Sequence, residues 1–266
     1  MRQMLSDVNQ PETESRPSFF ARQFAPDRTR GQLIFDGLLG VVAPILCFIA
    51  DPLVFRSGFP GGPILGAPLL AQYQLFAYLT SGVAIAALVA WLCFEHRLGD
   101  YGAMFCGVFL AGAAFSAVVG IMILPLSLLG LMFIIGLAGF TPFLTAFVYL
   151  RNGIKAARRA GGRGELKIAS GLVAASLVVG LPGIVSYQVS TEISRCVEEV
   201  VKGDATQAQT AADRLRWIPF LPQGSFEPVV TAYESEKDPQ KKEILKKVYR
   251  DATGEDIDYR LMILSD

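Results

Sequence analysis

The sequence has a single histidine, His96, four cysteines with no CxxC pair among them, and no Asp, Glu, Lys, Arg or His anywhere between residues 101 and 150. Each shortage excludes something. One histidine, in the polar turn 95–100, leaves nothing to build a His-ligated metal site or to serve a nucleophilic serine at depth. Cys47, Cys93 and Cys106 lie in apolar runs and Cys196 just beyond the last of them, so they read as small buried hydrophobes rather than redox groups. No HExxH, GxSG or GxGD occurs and there is no glycine-rich phosphate loop, so no catalytic residue, metal or cofactor is expected. Twenty-four Lys and Arg balance twenty-four Asp and Glu, which leaves no broad basic field for nucleic acid.

What is present is apolar sequence. The chain is 52% hydrophobic with a mean hydropathy of +0.42, and the long apolar runs lie between Leu33 and Tyr187. A hydrocarbon core of ~30 Å is crossed by about 20 helical residues, so the uncharged stretch 101–150 is too long for one span and long enough for two. Its turn is expected at Leu124-Pro125-Leu126-Ser127, where Pro125 lacks a donor and Ser127 can cap the next helix. The fold class is all-α: a polytopic membrane protein with about five transmembrane helices, at about 33–55, 69–94, 103–124, 128–150 and 168–187, plus a small soluble C-terminal helical domain.

Three regions follow. Residues 1–31 mix polar residues with five arginines and show no period, which predicts disorder, with Phe19, Phe20 and Phe24 able to lie on the membrane surface. Residues 32–188 hold the spans. Pro44 should kink the first, Pro142 the fourth, and Gly180-Leu181-Pro182-Gly183 should interrupt the fifth. Residues 189–266 have the pattern of three amphipathic helices. Asp204 caps one with Ala208, Ala211, Ala212 and Leu215 inward; Ser225 caps a second with Phe226, Val229, Val230 and Tyr233 inward; Asp238-Pro239 opens a third with Ile244, Leu245, Val248 and Tyr249 inward and Gly254 as its stop. Lys241, Lys242, Lys246 and Lys247 read as a solvated face.

Lys and Arg are retained on the cytoplasmic side during insertion. With the N-terminus inside, the cytoplasmic segments hold twelve of them and the outer loops only Arg56. The N-terminus is therefore expected in the cytoplasm and the C-terminal domain outside, the membrane being a bacterial inner (cytoplasmic) membrane.

Candidate functional residues are of three kinds. Gly112, Ser116 and Gly120, and on the fifth span Gly171 and Ala175, are small residues spaced by four, so each set lies on one helix face where another backbone can approach. Asp36 and Asp51 are carboxylates in or at the edge of the apolar zone. They are too far apart on one helix to share a proton, and each has a plain alternative: Asp36 reaching water or Arg30, Asp51 ending a helix before Pro52. Trp217, Phe220 and Leu221, beside Pro219 and Pro222, offer rigid apolar area to a partner or to the membrane surface, or fill the domain's own core.

The expected role is a non-catalytic subunit, scaffold or assembly factor. Its partners are the lipid bilayer and another membrane protein or a second copy of itself. A small transporter or channel using proline-broken spans is the alternative, and an interfacial lipid-modifying enzyme the second alternative.

Overall fold

The structure, a computed structural model, describes Phe24, residues 28–46, 74–95, 97–130, 140–160 and 164–216, Leu221, residues 223–259 and Leu261. Every regular element among the described residues is helical: α1 (Arg30–Gly37), α2 (Gln74–Phe94), α3 (Gly102–Gly130), α4 (Thr141–Arg159), α5 (Gly164–Lys202), α6 (Ala205–Arg216), α7 (Glu227–Ser235) and α8 (Pro239–Thr253). Among the described residues, three helices are long and apolar enough to cross a membrane, over Leu75–Phe94, Gly102–Met122 and within Gly164–Lys202. The other two expected spans, 33–55 and 128–150, fall partly on residues 47–55 and 131–139, outside the described ones.

The first apolar helix is broken in a specific way. After α1 the chain makes a π-helical turn, Leu38–Val42, in which the Ala43 N–H bonds back to the Leu38 carbonyl, and it returns to α-helix over residues 43–46. Pro44 has no N–H for the Gly40 carbonyl, and Ala43 has turned its own away from Leu39. Both carbonyls are taken by α4: the Thr145 hydroxyl donates to Leu39 O at 2.7 Å and the Tyr149 hydroxyl to Gly40 O at 3.1 Å. Thr145 and Tyr149 stand one turn apart on one helix face, so a single face of α4 repairs what Pro44 breaks.

Around that contact lies the core of the bundle, with Ala84, Leu88 and Trp91 from α2, Phe109 and Ala113 from α3, and Val148, Tyr149 and Ala156 from α4. Its aromatic rings form a chain, Trp91 to Phe105 at 5.2 Å, Phe105 to Phe109 at 5.9 Å and Phe109 stacked on Tyr149 at 6.2 Å. α3 packs along both α4 and α5.

Several expected boundaries differ. The turn expected at Leu124-Pro125-Leu126-Ser127 is not there, because α3 runs on to Gly130. Pro142 does not kink the interior of a span: it sits in the first turn of α4, where its missing N–H would have had no partner anyway. α5 is not interrupted at Gly180-Leu181-Pro182-Gly183 but continues as one helix through Pro182 to Lys202. Its 39 residues, at ~1.5 Å each, make a rod about 58 Å long, nearly twice the hydrocarbon thickness.

Large exposed apolar side chains on that rod begin at Leu166 and end at Tyr187, which is 74% exposed. Beyond it the rod changes partners. Ile193, Cys196, Val197 and Val200 enter a second core with Ala208, Ala211, Ala212 and Leu215 of α6, Phe226, Val229 and Val230 at α7, Leu245, Val248 and Tyr249 of α8, and Ile257. Asp204 accepts from the Gln207 N–H at 2.8 Å and Asp238 from Gln240 at 2.9 Å, while Gly254 ends α8 at φ 75°. Ser225 does not cap α7. Residues Gln223–Phe226 form a 3-10 turn instead, with Phe226 at the cap position and buried.

Tyr149→Phe and Thr145→Val each leave one carbonyl of the broken helix without its donor. Each is expected to lower stability to unfolding in detergent by about 1 kcal/mol, the usual worth of an interhelical hydrogen bond in a membrane bundle. Stability unchanged in both variants would show that the carbonyls find other donors.

Candidate functional site

The densest polar constellation lies at one end of the bundle, where α1, the end of α2 and the second half of α4 meet. Arg28, Gln32 and Asp36 recur at intervals of four and so share a face as the chain enters α1; Val148, Asn152, Lys155 and Arg159, at intervals of four, three and four, share one on α4. Thr29 caps α1 by accepting from the Gln32 N–H at 3.2 Å, which sets the direction from which Arg28 and Gln32 approach α4.

Asp36 is fully buried and is paired with Arg151, itself only 2% exposed. The Arg151 guanidinium also lies against two aromatic faces, 5.3 Å from the Phe35 ring centre and 5.6 Å from that of Phe147. A second cation, Arg28, has its Nε 3.9 Å from Asp36, its Nη2 3.5 Å from Glu95 and 2.6 Å from Asn152 Oδ1, to which it donates. Arg159 meets Glu95 at 3.0 Å, Lys155 donates to Gln32 Oε1 at 3.0 Å, and Asn152 donates to the Val148 carbonyl at 2.8 Å. Arg158 donates to the Phe24 carbonyl, and the Phe24 ring meets Phe147 edge-on at 6.3 Å.

The set holds four cations, Arg28, Arg151, Lys155 and Arg159, against two carboxylates, Asp36 and Glu95. Burial is the main influence lowering the Arg28 pKa, opposed by Glu95 and Asp36. Lys155, one turn beyond the uncharged stretch, is pushed down to about 8, by burial first and then by Arg28 and Arg151.

This arrangement corrects the expectation for Asp36. It reaches neither water nor Arg30; the buried carboxylate is held by Arg151 from a distant part of the chain and by Arg28 two turns before it. Arg28, Gln32, Glu95, Arg151, Asn152 and Lys155 were not singled out from sequence. The signal was there: the polar residues on both sides of the apolar runs keep the helical spacing of the runs themselves, so the helices and their pattern of faces extend into the charged segments.

The remaining candidates are dispersed. A Cβ on Gly112 would stand 3.1 Å from Ala84 Cβ and 3.6 Å from the Tyr149 ring, one on Gly120 3.0 Å from the Phe143 ring, and Ser116 between them is half-buried. The Gly112–Gly120 stripe thus faces α2 and α4. Gly171 faces the Ala103 carbonyl of α3, 3.1 Å from where its Cβ would be, and Ala175 lies one turn further along α5. Leu221 packs against the C-terminal core, whereas Asp51, Trp217 and Phe220 lie outside the described residues.

On the C-terminal unit three of the four lysines of α8 are engaged, and Lys247 is exposed as expected for a solvated face. Lys246 pairs with Asp258 and, at 3.4 Å, with Asp256; Lys242 lies 5.1 Å over the Tyr233 ring; Lys241 donates to the Val201 carbonyl. Tyr233 donates to Asp258 at 2.6 Å, and Lys246 and Tyr233 together hold the Asp258 carboxyl below its ordinary range. Among the described residues no three of His, Cys, Asp and Glu cluster closely enough to hold a metal ion. The chain matches no family model, no curated protein and no solved structure.

A lysine whose folded pKa lies below its unfolded value binds fewer protons folded than unfolded, so stability rises with pH between the two. For Lys155 that window runs from about 8 to 10.5. Stability in detergent should climb across it in the wild type relative to Lys155→Met, and parallel pH profiles for the two proteins would show that Lys155 carries no such penalty.

Proposed function

We propose that the chain is a non-catalytic multi-pass membrane protein, a subunit, scaffold or assembly factor, in which residues 189–266 form a recognition surface held at a fixed position relative to the bilayer. The observation that carries this reading is the continuity of α5. One helix supplies both the exposed apolar band ending at Tyr187 and the strip Ile193, Cys196, Val197 and Val200 in the C-terminal core. A unit built on the end of a spanning helix has its height and orientation set by that helix, which is what a docking platform requires and what a tethered enzyme does not need. The repair of Pro44 weighs in the same direction: Leu39 and Gly40 give their carbonyls to Thr145 and Tyr149, so that broken segment offers its backbone to α4 rather than to a passing solute.

The proposed topology is five spans with the N-terminus in the cytoplasm of a bacterial cell and residues 189–266 outside. Reporters fused after Gly162 and after Gly254 should then report opposite sides of the membrane; the same side for both would end this topology.

Truncation after Ser190 leaves the apolar band of α5 whole and removes the C-terminal core. The shortened chain should still insert while losing the partner protein that co-purifies with the full chain in mild detergent. If it retains that partner, recognition belongs to the membrane region.

A further inference from the structure

Beside the charged constellation, between the start of α5 and the facing turns of α3 and the end of α4, lies a groove of about 400 Å³. Small residues make its floor. Gly107 on α3 and Gly171 on α5 bring the two backbones so close that a Cβ on Gly107 would fall 1.9 Å from the Gly171 carbonyl oxygen. Ala103 and Ala175 continue the floor, and Leu110 and Leu172 stand at the sides. The groove opens on the exposed face of α5, where Ile168 is 66% and Leu172 63% exposed, the face that meets lipid if α5 spans.

Lys167 is the charged residue of the lining. It is half-buried, and among the described residues its side chain has no acidic partner and no hydrogen-bond acceptor, whereas Arg28, Arg151, Lys155, Arg158 and Arg159 at the same end are all engaged. An apolar slot open to the bilayer, with one unneutralised ammonium at its edge, is complementary to a molecule with a long hydrocarbon chain and an anionic head. Basic pockets between spanning helices at the cytoplasmic side take such lipids.

We infer that this groove is a binding site for an anionic phospholipid of the adjacent leaflet, one acyl chain lying between α3 and α5 and the phosphate on Lys167. A zwitterionic lipid satisfies the slot equally but brings its own cation to the headgroup, so the lysine selects for net negative charge. The small floor residues have a purpose here beyond close packing: they leave room for the chain above the Gly107–Gly171 contact.

The inference rests on the reading that α3 and α5 cross the bilayer, and the experiment separates the two. If alkaline carbonate washes the full-length chain off membranes, that reading fails and this one with it. If the chain stays in the membrane, the purified, delipidated protein in mild detergent is titrated with phosphatidylglycerol, with phosphatidylcholine of the same acyl chains, and with glycerol 3-phosphate, reading bound lipid by native mass spectrometry and Tm by thermal unfolding.

Wild type is expected to prefer phosphatidylglycerol about five-fold, the worth of one lysine near an anionic lipid surface, and to show the larger Tm shift with it. Lys167→Gln, at a half-exposed position without partners, should fold normally and lose the preference while still binding both lipids. Ala175→Phe fills the slot and should lose binding of both. Equal affinity for the two lipids in wild type, preference retained in Lys167→Gln, or an equal Tm shift from glycerol 3-phosphate, which has no chain to lay in the slot, would each overturn the inference.

Discussion

A carboxylate cannot stand alone among apolar helices, and the placement of Asp36 organises much of the apolar bundle. Taking the charge out of water is costly, and the cost is offset only by opposite charge at close range with further hydrogen bonds around it. Arg151 supplies the first and Arg28 a second, and because Arg151 lies on α4 the pairing fixes α1 against α4 rather than against its neighbour in sequence. Once that face is fixed, Thr145 and Tyr149 are carried to the carbonyls that Pro44 and the π-helical turn leave open. Charge and backbone repair are thus two consequences of one helix contact. Breaking such a pair from one side leaves a bare buried charge, typically at a cost of about 3–5 kcal/mol, whereas an apolar replacement of both partners is often neutral. What the geometry shows is that the pair joins α1 to α4 at one place on each.

The helical character of the chain, its apolar stretch and the inward residues of the last three helices were legible in the sequence because they are local: a period of 3.6, a capping Asp, a glycine stop. Ala208, Leu215, Val229, Leu245 and Val248, expected inward from spacing alone, are buried together. Errors came where a local rule met a non-local partner. Pro125 and Pro182 read as breaks because a proline inside a helix costs about 3 kcal/mol, yet both helices run through; in a spanning helix the alternative, backbone exposed to lipid, would cost more. Asp36 shows the same limit: Arg28 lies two turns before it, but Arg151, the closer partner, lies more than a hundred residues away in sequence, and no local pattern names it.

The basic segment after residue 150 shows how one stretch serves two ends. Counted as charge, it biases insertion; read as a helix, it continues the faces of α4 for nine more residues, to Arg159. Arg151 and Lys155 turn inward with Asn152, while Arg158 and Arg159 reach the chain entering α1 and the end of α2. Part of the positive charge that orientation rules would leave in solvent, Arg151 and Lys155, is buried inside the fold. Of the described cations in this segment, Lys167 on the next helix has no acidic partner among the described residues, and it borders an apolar slot.

The long α5 links the two halves of the molecule mechanically. A hinge at Gly180-Leu181-Pro182-Gly183 would have let the C-terminal unit swing; a continuous helix does not. Its near end packs at Gly107 and Gly171, with no side chains between the backbones to absorb a displacement, and its far end is clamped by α6, α7 and α8. A tilt imposed at one end therefore has to appear at the other, displaced by the length of the rod. The slot beside Gly171 lies at the packed end of that rod, next to the place where α3 and α5 meet backbone to backbone.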